Sequence, residues 1–188
     1  FIDATFFYLK ALLINKNHLH ANLYIGKSLL SLGKYLDSIE KLKFLLDIDP
    51  NNFEAREILG ISYYMIEDYP NAINQLTEAL LLNDGNYNTY HFLGMSYNKI
   101  NKKQQALESF QKSIQLNNEN GEAYFEMGLI YESILKLEEA IINYKLAKKY
   151  INNNDILNIN VGTLLYQQGD YHGALSPLRQ YIINNPYN

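Results

Sequence analysis

The sequence predicts an all-α protein, an α-solenoid built from antiparallel helix pairs. Glycine recurs every 34 residues in perfect register, at Gly26, Gly60, Gly94, Gly128 and Gly162. Apolar residues between these glycines follow the spacing of a helix rather than the alternation of a strand. Turn-forming dipeptides such as Asp49-Pro50 and Gly169-Asp170 separate the helical segments. Together these observations favour a helical repeat.

Other positions also recur every 34 residues, and they explain why glycine is needed at its position. We call such recurring positions columns. A large apolar residue precedes every glycine, and a small residue lies twelve places after it, at Ser38, Ala72, Ala106, Ala140 and Ala174. A helix of about 14 residues is marginal alone in water, so it must bury one face against a neighbour. We therefore expect the glycine and the small residue to lie where the two helices of one repeat cross.

Residues 53–86 show how one period forms two helices. Apolar residues from Phe53 to Ile66 recur at helical spacing and predict a first helix over 53–66. Asp68 predicts the N-cap of a second helix, and Pro70 lies in its first turn, where a missing N–H costs nothing. Pro177 lies inside the last predicted helix, where it removes a backbone hydrogen bond and favours a kink.

These columns resemble the tetratricopeptide repeat (TPR), whose pattern combines Leu-Gly and Tyr in a first helix with Ala and Phe in a second. The best copy consists of Tyr90, Leu93, Gly94, Tyr97, Ala106 and Phe110. The resemblance covers the whole chain and implies a right-handed superhelix. We expect one array over 1–188, with residues 1–18 as the second helix of an incomplete repeat. Full repeats are expected at 19–52, 53–86, 87–120, 121–154 and 155–188.

The ends of the predicted array carry no polar cap, although terminal repeats usually have one. Phe6, Phe7 and Leu13 have no predicted partner helix within the chain. We therefore expect a fragment of a larger protein, with uncapped termini that could make end-to-end or assembly contacts.

Composition excludes several classes of function. The chain has 16 basic and 20 acidic residues, and its lysines form no stripe, so we expect no nucleic-acid partner. Cysteine is absent, which excludes disulfides and thiolate metal sites. No apolar run predicts membrane insertion. His18 and His20 point to different helix faces, so they do not predict a metal site. The repeat accounts for the glycines and serines, so neither a Gly-rich phosphate loop nor a serine nucleophile is predicted. We expect no catalytic residue, metal or cofactor, and a cytoplasmic location.

The resemblance implies that the first helices of the repeats line a concave groove. The predicted partner-binding residues are Tyr24, Lys27, Glu57, Ile58, Ile61, Tyr64, Phe92, Met95, Asn98, Phe125, Glu126 and Leu129. Most are apolar or aromatic, and acidic residues surround them. An apolar patch with a charged rim is typical of an interaction site. This one favours a protein or peptide with apolar anchors and basic flanks.

The leading functional hypothesis is a non-catalytic scaffold for protein–protein interaction. One TPR subset binds acidic chaperone tails through a fixed set of Lys, Asn and Arg residues, and no three consecutive repeats here carry that set. Two alternatives stay open. The chain could be a regulatory or targeting arm of an enzyme whose catalytic domain lies elsewhere, or a structural subunit of a large assembly.

Overall fold

A computed structural model describes residues 8, 10, 13–15, 18–151 and 155–185. Residues 18–151 and 155–185 form ten α-helices, and no described residue lies in a strand. The helices are α1 (Leu19–Ser31), α2 (Tyr35–Ile48), α3 (Phe53–Met65), α4 (Tyr69–Leu82), α5 (Tyr87–Lys99), α6 (Lys103–Leu116), α7 (Gly121–Ser133), α8 (Leu137–Tyr150), α9 (Asp155–Gln167) and α10 (Tyr171–Asn184). The all-α prediction is confirmed. Phe6 and Phe7 lie outside the described residues.

The chain divides into two compact units, residues 1–106 and 107–188. Within each unit, consecutive helices form antiparallel pairs. The evidence is that residues at similar distances before and after the connecting turn lie in contact. The Ser38 hydroxyl, for example, donates a hydrogen bond of 2.8 Å to the carbonyl oxygen of Gly26 across the α1–α2 pair. Short polar caps start several helices. The side chain of Asn52 accepts from the Ala55 N–H at 3.0 Å and begins α3.

The repeated glycines lie where the paired helices approach most closely. A Cβ atom added to Gly60 would lie 2.6 Å from Leu76 Cγ, and one added to Gly128 would lie 2.5 Å from the ring of Tyr144. Real Cβ atoms do not approach other side chains so closely. Gly26 and Gly162 face Leu42 and Leu178 in the same way. At these four positions the predicted crossing is confirmed, and the small residues twelve places later are at most 2% exposed.

Successive pairs stack because the second helix of one repeat packs on the first helix of the next. These contacts join α2 to α3 and α4 to α5 in the first unit, and α8 to α9 in the second. The core of the first unit includes Ile39 and Leu42 of α2 against Leu59 and Tyr63 of α3. First helices also touch one another, since α3 contacts both α1 and α5.

The turn inside each repeat has one backbone conformation throughout the chain. One residue adopts a left-handed conformation, with φ between 60° and 83°, at Gly33, Glu67, Asn101, Leu135 and Gly169. The N–H of the following residue then donates to the carbonyl five residues earlier, at 2.9–3.0 Å, which satisfies the end of the first helix. Glu67 and Leu135 are the costly members, because a left-handed conformation disfavours a side chain other than that of Asn or Asp by about 1–2 kcal/mol.

The last helix, α10, begins directly after the predicted turn at Gly169-Asp170 and contains a proline. Asp170 caps α10, and its carboxylate accepts from the Gly173 N–H at 2.8 Å. Pro177 lies inside α10, and the helix continues beyond it to Asn184.

Replacing Gly60 by Ala tests the close helix crossing. The added methyl group would overlap Leu76, so we expect the free energy of unfolding to fall by about 1–3 kcal/mol. Denaturant unfolding followed by circular dichroism measures the change. Gly85→Ala is the control, because Gly85 lies in an exposed turn, and there we expect a change within about 0.5 kcal/mol. Equal effects at the two sites would contradict the crossing.

Replacing Leu135 by Gly tests the strained turn. Leu135 is 84% exposed, so little packing is lost. Relief of the left-handed conformation outweighs the entropy cost of glycine, and we expect a gain of about 0.5–1 kcal/mol in unfolding free energy. Leu175→Gly makes the same substitution at a 58% exposed position inside α10. It should instead destabilise the protein by about 1 kcal/mol, and stabilisation by both variants would rule out this explanation.

Candidate protein-binding surface

The first helices of the first unit form a layer in which α3 lies between α1 and α5. We call α1, α3 and α5 the first-helix layer. Nine of the twelve predicted partner-binding residues belong to it: Tyr24, Lys27, Glu57, Ile58, Ile61, Tyr64, Phe92, Met95 and Asn98. The other three, Phe125, Glu126 and Leu129, belong to α7 in the second unit.

An aromatic pair joins α3 to α5 on this layer. The ring centroids of Tyr64 and Phe92 lie 5.7 Å apart in an edge-to-face arrangement, a favourable geometry for aromatic rings. Both side chains are half-buried, as are Ile61 and Met95, which lie three residues away on the same helix faces. Asn98 is also half-buried and lies a further three residues along α5. The layer therefore offers apolar surface that the fold covers only in part.

A salt bridge joins α1 to α3 on the same layer. Lys27 Nζ lies 3.2 Å from Glu54 Oε1, and the two side chains are 55% and 44% exposed. An ion pair this exposed contributes at most about 1 kcal/mol to stability. The lysine also neutralises a carboxylate that the sequence predicts to be part of an acidic rim.

Two predicted partner-binding residues lie inside the unit. Glu57 is 9% exposed, and its Oε1 accepts hydrogen bonds from Asn88 Nδ2 at 3.1 Å and Thr89 Oγ1 at 2.9 Å. It therefore links α3 to the start of α5. Ile58 is 4% exposed and packs in the core with Leu23 of α1. Neither side chain offers a partner much surface, because the adjacent first helix covers it.

Tyr24 lies at the α1 side of the layer and is 42% exposed. Its ring stacks on that of Tyr8, with centroids 4.8 Å apart and planes within 8°. The described part of the N-terminal segment thus reaches the layer at Tyr24.

The second unit presents a more acidic surface on α7. Phe125 and Glu126 are half-buried, and Leu129 is 36% exposed. The Phe125 ring lies 5.8 Å from that of Tyr144. Helix α7 carries three glutamates and no basic residue, so its surface favours cations more than the first-helix layer does.

Tyr144 was not among the predicted site residues, although it contacts two side chains of α7, Phe125 and Glu132. It is fully buried, and its hydroxyl donates a hydrogen bond of 2.6 Å to Glu132 Oε2. Burial raises the pKa of Tyr144 well above its usual range, and the hydrogen bond to Glu132 and the charge of Glu126 act in the same direction. The other repeats have Leu or Phe at this position. The extra hydroxyl of Tyr144 is therefore the sequence signal for a buried hydrogen bond.

Over the described ranges, no cluster of three His, Asp or Glu side chains could hold a metal ion. None of the helices in that part of the chain combines the length and the apolar character needed to cross a bilayer.

Family models identify the repeat that this geometry represents. Models of the tetratricopeptide repeat match residues 24–88, 87–120 and 121–154. The chain belongs to the tetratricopeptide repeat family. Arrays of such repeats form extended surfaces for protein contact. No curated protein matches the chain in sequence.

Solved TPR structures resemble the chain over most of its length, which confirms the helical solenoid class. A structure of MamA is 26% identical and covers 86% of this chain and 95% of its own, with a TM-score of 0.80. A MamA fragment from Desulfovibrio magneticus RS-1 is 19% identical, covers 87% and 93%, and has a TM-score of 0.78. YrrB, described as a TPR protein with an unusual peptide-binding site, is 22% identical, covers 96% and 93%, and has a TM-score of 0.78.

The pH dependence of stability tests the environment of Tyr144. Its pKa is raised on folding, so the folded protein keeps a proton that the unfolded chain loses above about pH 10. The stabilisation is therefore complete below that pH and is lost as the pH rises further. We expect the unfolding free energy of Tyr144→Phe to fall less steeply above about pH 10, by up to about 1.4 kcal/mol per pH unit.

Tyr166→Phe removes a hydroxyl from a ring that is 60% exposed and serves as the control. Its pH profile should follow that of the wild type, as measured by urea unfolding at several alkaline pH values. A Tyr144→Phe profile that also follows the wild type would show that the phenol does not resist ionisation.

Proposed function

We propose that this protein is a non-catalytic scaffold that binds a segment of a partner protein on its first-helix layer. The observation that carries the proposal is the half-exposed pair of Tyr64 and Phe92, which Ile61 and Met95 extend along α3 and α5. Aromatic side chains at the centre of an interface supply much of the binding energy when a partner removes them from water.

Charge favours different partner residues on the two units. On the first-helix layer Lys27 neutralises Glu54, and Glu57 is already used inside the fold. A partner therefore needs apolar or aromatic anchors there more than charge. On α7, the exposed Glu122 and the half-buried Glu126 flank Phe125. This surface favours a segment with an apolar anchor beside Lys or Arg.

The structural roles of the serines support a scaffold without catalysis. The Ser62 hydroxyl donates to the Ile58 carbonyl at 2.8 Å and lies 3.1 Å from the Ser38 hydroxyl. The Ser96 hydroxyl donates to the Phe92 carbonyl at 2.8 Å. These hydroxyls satisfy buried or partly buried backbone groups, so they are not arranged as nucleophiles beside a base. The peptide-binding site attributed to YrrB supports the same class of ligand.

Selection from a displayed library of random peptides tests the proposal. Wild-type protein should enrich peptides with aromatic or aliphatic anchors. The double variant Tyr64→Ala/Phe92→Ala should bind those peptides at least about tenfold more weakly, because it removes the two central rings.

Phe44→Ala is the control, since Phe44 is 40% exposed on the second helix α2. It should leave peptide affinity unchanged. Circular dichroism of all variants checks that helicity is retained. Equal affinity of the double variant and the wild type, with intact helicity, would show that the first-helix layer is not the binding surface.

A further inference from the structure

A cavity of about 210 Å³ lies between α8, α9 and α10 in the second unit. We call it the α9 cavity, because α9 contacts both other helices and forms its base. Val161 and Leu165 of α9 make that base apolar and are 4% and 9% exposed. Lysines of α8 line one side of the cavity, and polar residues of α10 line the other.

The cavity exists because two positions of the last repeat carry short side chains. In the repeat at 53–86, Arg56 Nη1 donates a hydrogen bond of 3.3 Å to Gln75 Oε1, and the two side chains bridge α3 and α4. The same two positions of the last repeat hold Asn158 and Pro177, and both line the α9 cavity. The last repeat therefore has a hollow where another repeat has a bridge.

The cavity opens on a side of the second helices that a following repeat leaves uncovered. Ser176 of α10 lines the cavity. The residues at the same repeat position of α2, α4 and α8 are Glu40, Asn74 and Ile142, and all three are exposed although a first helix follows each of them. The α9 cavity therefore stays open whether or not a further helix packs on α10.

The α8 side of the cavity offers positive charge and hydrogen-bond donors. Lys145 and Lys148 are three residues apart and share one face of the helix. Lys148 Nζ donates to Asn158 Oδ1 at 2.6 Å, and Asn158 is 5% exposed. Because that bond uses the amide oxygen, the NH₂ group of Asn158 is a further donor beside the two ammonium groups. Such a set of donors suits a carboxylate.

The α10 side offers negative charge and hydrogen-bond acceptors. Asp170 and Gly173 line the cavity there. Asp170 Oδ1 accepts from the Gly173 N–H at 2.8 Å, and the carboxylate has a second oxygen that can accept from a ligand. Pro177 has no N–H, so the Gly173 carbonyl receives no hydrogen bond from the residue four places later. Acceptors of this kind suit an ammonium group.

We propose that the α9 cavity binds a free α-amino acid with a branched apolar side chain. The carboxylate of the ligand lies against the two lysines, its ammonium group against Asp170, and its side chain on Val161 and Leu165. A simple anion would meet the like charge of Asp170, and a simple cation would meet the lysines, so the two sides together favour a zwitterion.

The size of the cavity agrees with such a ligand. An apolar protein cavity of about 150 Å³ holds a benzene molecule. The α9 cavity has about 210 Å³, which suits a ligand somewhat larger than benzene, such as L-leucine.

Titration of the isotope-labelled full chain with L-leucine, followed by NMR, tests the proposal. The amide signal of Gly173 reports on the cavity, and that of Gly60 in the first unit is the reference. We expect a saturable shift at Gly173 and none at Gly60. Isocaproate lacks the ammonium group and isoamylamine lacks the carboxylate. Each should bind at least about tenfold more weakly than L-leucine, because it leaves one charged side of the cavity unpaired.

Lys148→Gln and Asp170→Asn test the two sides of the cavity separately. Each substitution removes a charge and keeps a polar group, and Asn can still cap α10. We expect each variant to bind L-leucine about five- to tenfold more weakly. Lys112→Gln is the matched control, because Lys112 is exposed on α6 and does not line the cavity. It should leave the affinity unchanged.

The double variant Asn158→Arg/Pro177→Gln rebuilds the bridge that Arg56 and Gln75 form in the repeat at 53–86. It should fill the cavity and abolish the shift at Gly173. Circular dichroism checks the helicity of every variant, and the two single charge variants decide the question if the double variant does not fold.

Three results would overturn the proposal. The first is the absence of a saturable shift at Gly173. The second is isocaproate that binds as tightly as L-leucine, which would assign the cavity to carboxylates in general. The third is an affinity for L-leucine that neither Lys148→Gln nor Asp170→Asn changes.

Discussion

The close approach of two short helices inside each repeat is the constraint on which the rest of the structure depends. Helices of 13 or 14 residues, such as α3 and α4, are marginal in water until one face is buried. Glycine allows that burial because Leu76 lies where a Cβ of Gly60 would be. The same approach brings the Ser38 hydroxyl to a backbone carbonyl, so a polar group can lie in the interface without an unpaired hydrogen bond.

Burial of these faces decides which side chains remain for a partner. The second helix of each repeat covers one side of the first helix in the following repeat. Neighbouring first helices cover part of another side of that helix. Tyr64 and Phe92 lie beyond both covers and stay half-exposed. Ile58, six residues before Tyr64, falls beneath α1 and is lost to the core. The surface that we propose for binding is thus what remains after the repeat has satisfied its own packing.

The 34-residue period is enough to predict the helices, their pairing and the glycine crossings, because these features depend on spacing along one chain segment. It does not predict how deeply a side chain lies between two repeats. Glu57 was expected on an acidic rim, but Asn88 and Thr89 of the next repeat draw it inward. Leu135 shows the same limit in the backbone. Glycine signals the left-handed turn at Gly33 and Gly169, whereas at Leu135 the hydrogen bonds of the turn impose that conformation without a sequence signal.

The first-helix layer differs from the rest of each repeat in what determines its side chains. Buried positions such as Leu59 and Leu76 must be apolar and of a fixed size, because they hold the helices together. Phe92 and Met95 are half-buried and are not constrained in that way. The specificity of the surface that we propose for binding therefore depends on this particular sequence and not on the repeat pattern.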